Sequence, residues 1–432
     1  DESGYDRIRD AFRSKSEIAY QGAVQRLDNK RTHLKQNPKP ADNAVVPEFK
    51  RMPPAVWIGP SALTIPCPVT DMEQLSNRLS KVFSDYPELF NHCVKVYQKR
   101  VDYYRLTSEG QKILQPDTVF HITARASIKT DGNEVKTEYY RLHVGGINDL
   151  PSEDALIGEL HRFAEYMQQK SQAKAVEDLY IGPVLYEDDA AMELLAEKIA
   201  DYSHSYWISI RNQSDRKHRY LGKQVFPPAL SVCQLGNDSV YNGVKLLGYR
   251  QVDADGTKPK TLPIIEKGIL KHMLTGRTPS LGCPASTGNE HFDGLSRTLE
   301  TRYTAGVFRV TSNRPVPYSK LYKRFLKAAK KAGLEHTYII RKNRTSPYAL
   351  IRVDLSTGKE ELVEGNYNSP SREQFKRMHA ISKEENVYNL DPAGGKGLGI
   401  ISPKAILLED MELDITPSRA RHIDEAFYEL RH

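Results

Sequence analysis

The sequence is poor in the features that mark several common classes of protein. Its 432 residues include four cysteines, Cys67, Cys93, Cys233 and Cys283, and no two of them form a CxxC pair. This spacing argues against a small disulfide scaffold and against a cysteine-rich zinc site. No apolar run approaches the ~20 residues that a membrane-spanning helix needs. We find no internal repeat and no low-complexity tract, and the length favours two domains.

The net charge of +7 is modest and is not gathered in a basic tail. Nucleic-acid binders usually collect lysine, arginine and aromatic residues on one face. The densest basic segment, 320–331, also carries apolar residues at helical spacing: Leu321, Tyr322, Phe325, Leu326 and Ala329. This pattern predicts an amphipathic helix with a solvated basic face, and nucleic acid is therefore not an expected partner.

The chain begins with Asp1 rather than methionine. Removal of an export signal explains such a start, and so does trimming of the chain. We therefore expect an exported or periplasmic protein, and a cytoplasmic location stays open. The first forty residues are polar and compatible with a helix, which Pro38 and Pro40 would end.

The next part of the chain predicts a helix followed by an antiparallel sheet. Thr70-Asp71-Met72-Glu73 has the spacing of a capping box, which predicts a helix over 71–86. β-branched and aromatic residues then alternate with polar ones in three predicted strands: 93–105, 120–130 and 135–144. Ser108-Glu109-Gly110 and Asp131-Gly132-Asn133 provide the turns.

A second helix is predicted after Ser152, and it should cover one face of this sheet. Its apolar positions recur every three or four residues: Leu156, Leu160, Phe163 and Met167. A domain boundary is expected at 175–180. Beyond it, helices are predicted over 188–201 and 318–332, the latter ending at Gly333, among strands and turns. One of these turns is predicted at Val252-Asp253-Ala254-Asp255-Gly256. The fold class is therefore α+β, with a strand-rich C-terminal domain that has few helices.

Five segments have a recognisable order and spacing. They are Tyr103-Tyr104-Arg105-Leu106-Thr107-Ser108-Glu109-Gly110, Gly182-Pro183-Val184-Leu185-Tyr186-Glu187 before an alanine-rich helix, 262–271, Ser286-Thr287-Gly288-Asn289-Glu290-His291, and 401–409. Together they resemble the TldD/PmbA family, which is related to metallopeptidases and linked by name to DNA gyrase. The resemblance covers roughly residues 70–414. It implies four parts: a helix and linker at 1–69, an α+β domain at 70–177, a β-rich domain at 178–414 and a tail at 415–432.

The resemblance also implies where a metal would be bound. Active members hold zinc with a HExxxH motif on the first helix of the C-terminal domain and a cysteine near the C-terminus, and the zinc activates water. Aligned on the preceding Leu-Leu, this chain has Glu197, Lys198 and Tyr202 in place of the first His, the Glu and the second His. Its last cysteine is Cys283. The resemblance therefore implies a protein without the zinc motif. No cofactor is expected, and zinc only at a non-standard site.

Other residues offer weaker candidates for a site. No two of the 13 histidines have the spacing that places a metal-binding pair on one helical face. Glu193, Glu197 and Asp201 share a helical face, for which a solvated acidic surface is favoured over acid–base chemistry. Cys283 and His291 are candidates for a Cys-His nucleophile, although an eight-residue loop fixes no geometry. Gly288, Asn289 and His291 are candidates for lining a substrate cleft.

We therefore expect a TldD/PmbA-like protein whose cleft binds an extended peptide or an unfolded polypeptide. It would act as a pseudoenzyme or partner subunit, as a homodimer or beside a second TldD/PmbA-like chain. An exposed strand edge is a suitable place for the peptide. Two alternatives remain: an active hydrolase with a non-standard site around Cys283 and His291, and a DNA-associated protein suggested by the family's link to gyrase.

Overall fold

The computed structural model describes most of the chain. The described residues are 2–36, 51–64, 66, 68–130, 134–203, 217–277, 283, 285–292, 301–303, 306–390 and 397–415. The predicted turn at 131–133, Cys67 and the tail after residue 415 lie outside them. Within them, no helix is long and apolar enough to cross a membrane.

The N-terminal helix is present as predicted. Helix α1 spans Glu2–Gln36, the first described stretch of the chain. In the sequence it is followed by Pro38 and Pro40, which lie outside the described residues and which a helix interior does not accommodate. Several large apolar side chains on α1 are exposed: Tyr5, Ile8, Phe12, Ile18, Tyr20, Val24 and Leu27. Within the described part of the chain, these side chains therefore lack close packing against another element.

The N-terminal sheet is built on two long antiparallel pairs, as the alternation predicts. Its strands are β1 (Val56–Ile58), β2 (Leu89–Leu106), β3 (Lys112–Lys129) and β4 (Val135–Val144). Strand β3 is central and pairs antiparallel with β2 and β4 and parallel with the short β1. The β2–β3 turn contains Gly110, whose φ of 87° is the left-handed conformation that glycine adopts without strain.

Two helices cover one face of this sheet. Helix α2 spans Val69–Ser80 and continues as a 3₁₀ turn, Lys81–Asp85. The predicted capping box is wrong, because the helix starts one residue before Thr70, and Pro68 at its N-cap position provides no side-chain hydrogen bond. Helix α3 spans Glu153–Gln172, and the Ser152 Oγ accepts a hydrogen bond from the Ala155 N–H at 3.3 Å, as predicted. All four predicted apolar positions of α3 are buried.

The rest of the chain forms mainly strands. They are β5 (Lys174–Ala175), β6 (Asp178–Asp188), β7 (Leu230–Gln234), β8 (Val240–Tyr241), β9 (Val244–Lys245), β10 (Leu262–Glu266), β11 (Ile269–Leu270), β12 (Glu290–Phe292), β13 (Thr301–Tyr303), β14 (Val307–Ser312), β15 (His336–Lys342), β16 (Ala349–Asp354), β17 (Glu360–Glu364), β18 (Met378–Ile381), β19 (Glu385–Leu390), β20 (Leu398–Pro403) and β21 (Ala405–Ile415). The helices among them are α4 (Asp189–Ser203), α5 (Tyr318–Lys331) and α6 (Arg372–Lys376).

These strands form two large mixed sheets. One has seven strands in the order β18-β21-β6-β15-β16-β17-β5, and the other has six in the order β11-β10-β7-β14-β20-β19. Helix α5 buries Leu321, Phe325 and Ala329 and is followed by Gly333, whose φ is 72°. The α+β fold class and the amphipathic helix before Gly333 are therefore confirmed.

The two halves of the molecule share a hydrophobic core. One buried cluster joins Ile122 of β3 and Phe163 of α3 to Leu185 of β6 and Phe325 of α5. Helix α3 thus packs between the N-terminal sheet and the seven-stranded sheet. A second cluster lies between α4 and the two C-terminal sheets. Because one core contains side chains of both halves, the C-terminal sheets hold their loops at fixed positions against the N-terminal sheet.

Candidate functional site

The first helix of the C-terminal half, α4, carries the positions that the resemblance assigns to a metal. The Glu197 side chain is 52% exposed, and its two carboxylate oxygens accept hydrogen bonds from the Lys198 Nζ at 2.8 Å and from the Ser369 Oγ at 3.0 Å. Lys198 is only 5% exposed. A buried ammonium is costly without a counter-charge, so this carboxylate stabilises Lys198 in place.

Tyr202 is part of the hydrophobic core. It is 3% exposed, and its ring centroid lies 5.2 Å from that of Tyr220 and 6.4 Å from that of Phe226, in edge-on geometry. The guanidinium of Arg372 lies 5.3 Å from the Tyr202 ring centroid. Edge-to-face rings and a cation over a ring each stabilise the fold. Tyr202 therefore fixes the C-terminal end of α4 to its surroundings.

These three residues do not fit a zinc ion. Zinc is held by thiolates, imidazoles and carboxylates, whereas an ammonium such as that of Lys198 has no lone pair to donate. The Tyr202 ring packs among other rings, so the carboxylate of Glu197 is the one suitable zinc ligand of the three. Within the described ranges, no group of three or more His, Cys, Asp or Glu side chains is placed to hold a metal ion. No reaction step through zinc follows from this helix.

The loop before β12 is held in a conformation that glycine makes accessible. Gly288 has a φ of 77°, and a Cβ at this position would lie 2.5 Å from the carbonyl oxygen of Lys258. Its N–H donates to the Ser286 Oγ at 3.1 Å. Asn289 is fully buried, and its side-chain amide exchanges two hydrogen bonds with that of Gln234, at 2.6 and 3.1 Å. The loop is thereby fixed to β7.

Two of the predicted cleft residues line one small hollow. Asn289 and His291 face it together with Gln234, Arg250 and, from the opposite segments, Gly248 and Gly306. The enclosed space here is about 10 Å³, roughly the room that one water molecule needs. His291 is 4% exposed and pairs with Arg302 across β12 and β13. Polar side chains thus share the lining of this hollow with Leu235, Pro259 and Val307.

The remaining predicted residues lie elsewhere. Gly288 shapes the loop but is not among the residues that line the hollow. Cys283 is half-buried, is not part of a disulfide among the described residues and packs against the larger hydrophobic cluster. The Cys283–His291 nucleophile stays a prediction. Gln234 and Arg250 were missed, because they come from segments far along the chain whose approach no local pattern indicates.

The backbones of two segments meet at the rim of the hollow. A Cβ at Gly248 would lie 1.4 Å from the carbonyl oxygen of Gly306, and one at Gly306 would lie 2.2 Å from that of Gly248. Neither distance leaves room for a methyl group. Only glycine at both positions permits this approach.

A buried carboxyl cluster lies between the two halves, where the sequence indicated only a turn. The carboxylate of Asp253 accepts hydrogen bonds from the N–H groups of Asp255 and Thr257 at 2.9 Å and of Glu290 at 3.1 Å. Arg105 of β2 reaches Asp255 at 2.8 Å and Glu290 at 3.7 Å. The Gln111 Nε2 donates to the Asp255 carbonyl oxygen at 3.1 Å. The cluster therefore ties the C-terminal half to the N-terminal sheet.

Burial changes the acidity of this cluster. Desolvation raises the pKa of Asp253 to about 7, even though three backbone N–H groups oppose the change. Desolvation, and then a hydrogen bond to Glu290, raise the pKa of Asp255, and Arg105 only partly offsets them. A neighbouring carboxyl group disfavours the ionised form, so Glu290 adds to the effect of burial on Asp255.

Comparison with known proteins finds one family model that matches part of the chain and several solved structures with a similar fold. Residues 181–315 match the model of the PmbA/TldA metallopeptidase C-terminal domain. No curated protein matches the chain significantly. A candidate modulator of a DNA gyrase from Thermotoga maritima has a similar fold, with a TM-score of 0.55 and 13% identity over 85% of this chain and 78% of the other.

Two further solved structures are similar to the same extent. A candidate modulator of DNA gyrase from Bacteroides thetaiotaomicron has a TM-score of 0.55 and 13% identity, over 88% of this chain and 80% of the other. TldE from Thermococcus kodakarensis has a TM-score of 0.52 and 12% identity, over 88% and 81%. At such identities the likeness concerns the fold.

Proposed function

We propose that this chain is a metallopeptidase relative that binds extended polypeptide but does not hydrolyse it with zinc. The matching family model and the folds of three solved proteins, which all point to the TldD/PmbA family, support the first part. The observation that carries the proposal is the state of Lys198 and Tyr202 on α4. The first is a buried ammonium paired with Glu197, and the second is a core ring. Residues with these roles are committed to stability.

A strand edge supports the peptide-binding part of the proposal. Strand β19 is the last strand of the six-stranded sheet and, among the described strands, pairs only with β20. All six of its residues are half-buried. An edge strand offers unpaired backbone groups to an incoming extended peptide, which then adds to the sheet. Affinity would come from the backbone and would depend little on peptide sequence.

The exposed apolar side chains of α1 support an assembled state. A 35-residue helix whose large apolar side chains face water gains stability by packing them against another surface. A second copy of the chain offers the same helix, and a TldD/PmbA-like partner offers a related one. We infer a homodimer or a pair of this kind. An exported location is also part of the proposal.

The first experiment measures zinc and hydrolysis together. The purified chain is incubated with one equivalent of zinc and dialysed, its metal content is measured, and cleavage of an unfolded protein such as reduced casein is followed with and without a chelator. We expect substoichiometric zinc and no chelator-sensitive cleavage. Stoichiometric zinc with chelator-sensitive turnover would overturn the proposal.

A second experiment tests the strand edge. An extended peptide is compared with two versions of it that are N-methylated at alternate residues, one version for each register. N-methylation removes backbone donors from one edge of the peptide and leaves the side chains unchanged. Since strand addition uses the donors of one edge, one version should bind much more weakly than the other. Equal binding of all three peptides contradicts binding by strand addition.

The hollow at His291 supports one second candidate, a hydrolase with a non-standard site. Its imidazole is buried and lines the hollow together with Asn289 and Arg250, and an imidazole that faces a substrate can carry out acid–base work. Cleavage of casein that persists in chelator and is lost in His291→Ala or Cys283→Ser, with the fold retained, would support this candidate. Absence of such cleavage leaves the binding role.

A further inference from the structure

The N-terminal sheet has a second face whose residues are unlike those of the core. Directly opposed residues on neighbouring strands point to the same side of a sheet. Val94, Ala124 and Tyr140 form one such row, and they are buried under α2 and α3. The alternate rows of β2, β3 and β4 therefore point away from both helices. We call these alternate rows the outer face.

The outer face is basic. Its cationic side chains come from all three strands: Lys95 and Lys99 from β2, Arg125 and Lys129 from β3, and Arg141 from β4. Lys95, Lys129 and Arg141 are exposed, and the other two are half-buried. In the rows of the outer face that run from Asp117 to Lys129 on β3, Asp117 is the one acid among the described residues. Its carboxylate lies 3.8 Å from the Lys99 Nζ. Lys95, Lys129 and Arg141 thus give this face three exposed positive charges.

Aromatic rings lie between these charges. Tyr97 is 46% exposed, and it stacks with one face on His121, with ring centroids 4.4 Å apart and planes 9° apart. Tyr139, 37% exposed, lies under the Arg141 guanidinium at 4.7 Å from its ring centroid. Under Tyr97, the Nδ1 atoms of His121 and His143 lie 2.9 Å apart. His121 thus supports the Tyr97 ring from below and leaves its other face towards solvent.

We propose that the outer face binds single-stranded nucleic acid. Lysine and arginine neutralise phosphates, and exposed rings held on a rigid sheet stack with bases whose own faces are accessible only in single strands. The face of a three-stranded sheet is too broad to enter the major groove of a duplex, which admits a helix or a two-stranded ribbon. An acidic polypeptide would use the charges but would gain little from Tyr97 and Tyr139. The combination of rings and charges therefore favours the nucleic acid.

The experiment measures binding of fluorescently labelled single-stranded DNA and RNA of the same short sequence by anisotropy, with the whole chain. Raising the salt from about 50 to about 200 mM should weaken binding by roughly 100-fold if five phosphates are neutralised. Tyr97→Ala should weaken it about tenfold through loss of stacking. A preference for RNA or for DNA identifies which of the two this face takes.

A matched pair of variants separates this face from general positive charge. Lys95→Gln with Arg141→Gln removes two charges from the outer face, and Lys323→Gln with Lys327→Gln removes two exposed charges from α5. Only the first pair should weaken binding and reduce the salt slope, by about 1.4. If a variant fails to fold, chemical acetylation of the unaltered chain replaces the comparison. The bound oligonucleotide should then protect Lys95 and Lys129 from the reagent.

Three outcomes overturn the proposal. They are the absence of binding at low salt, equal weakening by the two charge pairs, and full affinity in Tyr97→Ala. Tighter binding of poly-glutamate than of the oligonucleotides, insensitive to Tyr97→Ala, would assign the face to an acidic polypeptide instead.

Discussion

Gly288 has a backbone conformation that other residues adopt at a cost, and its surroundings leave no room for a side chain. Gly222 has nearly the same φ, 75°, but nothing lies within 4 Å of a Cβ built there. Gly222→Ala should therefore lose about 1 to 2 kcal/mol of unfolding free energy, the cost of the left-handed conformation alone. Gly288→Ala should lose about 1 to 3 kcal/mol more, from overlap with the Lys258 carbonyl. Urea denaturation measures both, and equal losses would contradict the described loop.

Tyr202 and Glu197 share a helix but differ in burial. Tyr202→Ala should lose about 3 kcal/mol of unfolding free energy, because the cavity replaces the contacts with Tyr220 and Phe226. Glu197→Ala should lose less, about 1 kcal/mol, since its carboxylate is half in solvent. Thermal denaturation followed by circular dichroism compares them. A small effect of Tyr202→Ala would mean that the ring is free for another role.

The same residues show what the sequence could and could not predict. Asn289 and His291 were candidates for a cleft, and both line the hollow. Asp253 and Asp255 were read as a turn only. Their burial depends on Arg105 and Glu290, which lie 148 and 37 positions away from Asp253. A local pattern contains no information about such partners.

At the scale of whole elements, helices α2 and α3, which cover the N-terminal sheet, differ in how they begin. The Ser152 Oγ accepts the Ala155 N–H at the start of α3, whereas Thr70 lies inside the first turn of α2 and is exposed. Ser152→Ala should therefore lose about 1 kcal/mol of unfolding free energy. Thr70→Ala should lose at most about 0.5 kcal/mol. Chemical denaturation measures the difference, and a larger loss in Thr70→Ala would restore the capping box.

The elements that follow from local pattern were predicted well. Helix α3 has an apolar period, and β2 to β4 alternate and have short connections, so all four elements are present. The bounds of β4 match the prediction, whereas β2 begins four residues and β3 eight residues before the predicted starts. The order of the seven-stranded sheet was not predicted. Strand β5 pairs with β17 nearly 190 residues later, and β6 lies between β15 and β21. Pairings over such separations depend on the packing of the whole chain.

At the scale of the whole molecule, the carboxyl cluster makes the contact between the halves sensitive to pH. Asp253 and Asp255 have raised pKa values in the folded protein and ionise near 3.8 when unfolded. The folded state binds more protons between these values, so the free energy of unfolding falls as the pH rises through this window. The melting temperature should therefore drop from about pH 5 to about pH 8.

Asp255→Asn provides the control for that pH dependence. It keeps the shape of the side chain and removes one group that must ionise, and Glu290 remains to face Arg105. Its melting temperature should fall less steeply over the same pH range. Parallel curves for the two proteins would show that other groups cause the slope.

The exposed apolar side chains of α1 are the proposed contact between two chains. Deletion of residues 1–36 should convert a dimer into a monomer without unfolding the rest, because the side chains listed for α1 are exposed and not part of the described cores. Sedimentation velocity at two protein concentrations measures the change. A deletion variant that remains dimeric would place the contact elsewhere.

The approach of Gly248 to Gly306 restricts how the sequence can vary over time. At most core positions a larger side chain can be compensated by a smaller neighbouring side chain. Here each neighbour is a backbone carbonyl oxygen, which no substitution removes. A scan of all substitutions should find both positions intolerant, and no second-site suppressor at either one. Related chains that keep this crossing must then inherit both glycines together, and loss of one should coincide with a rebuilt rim.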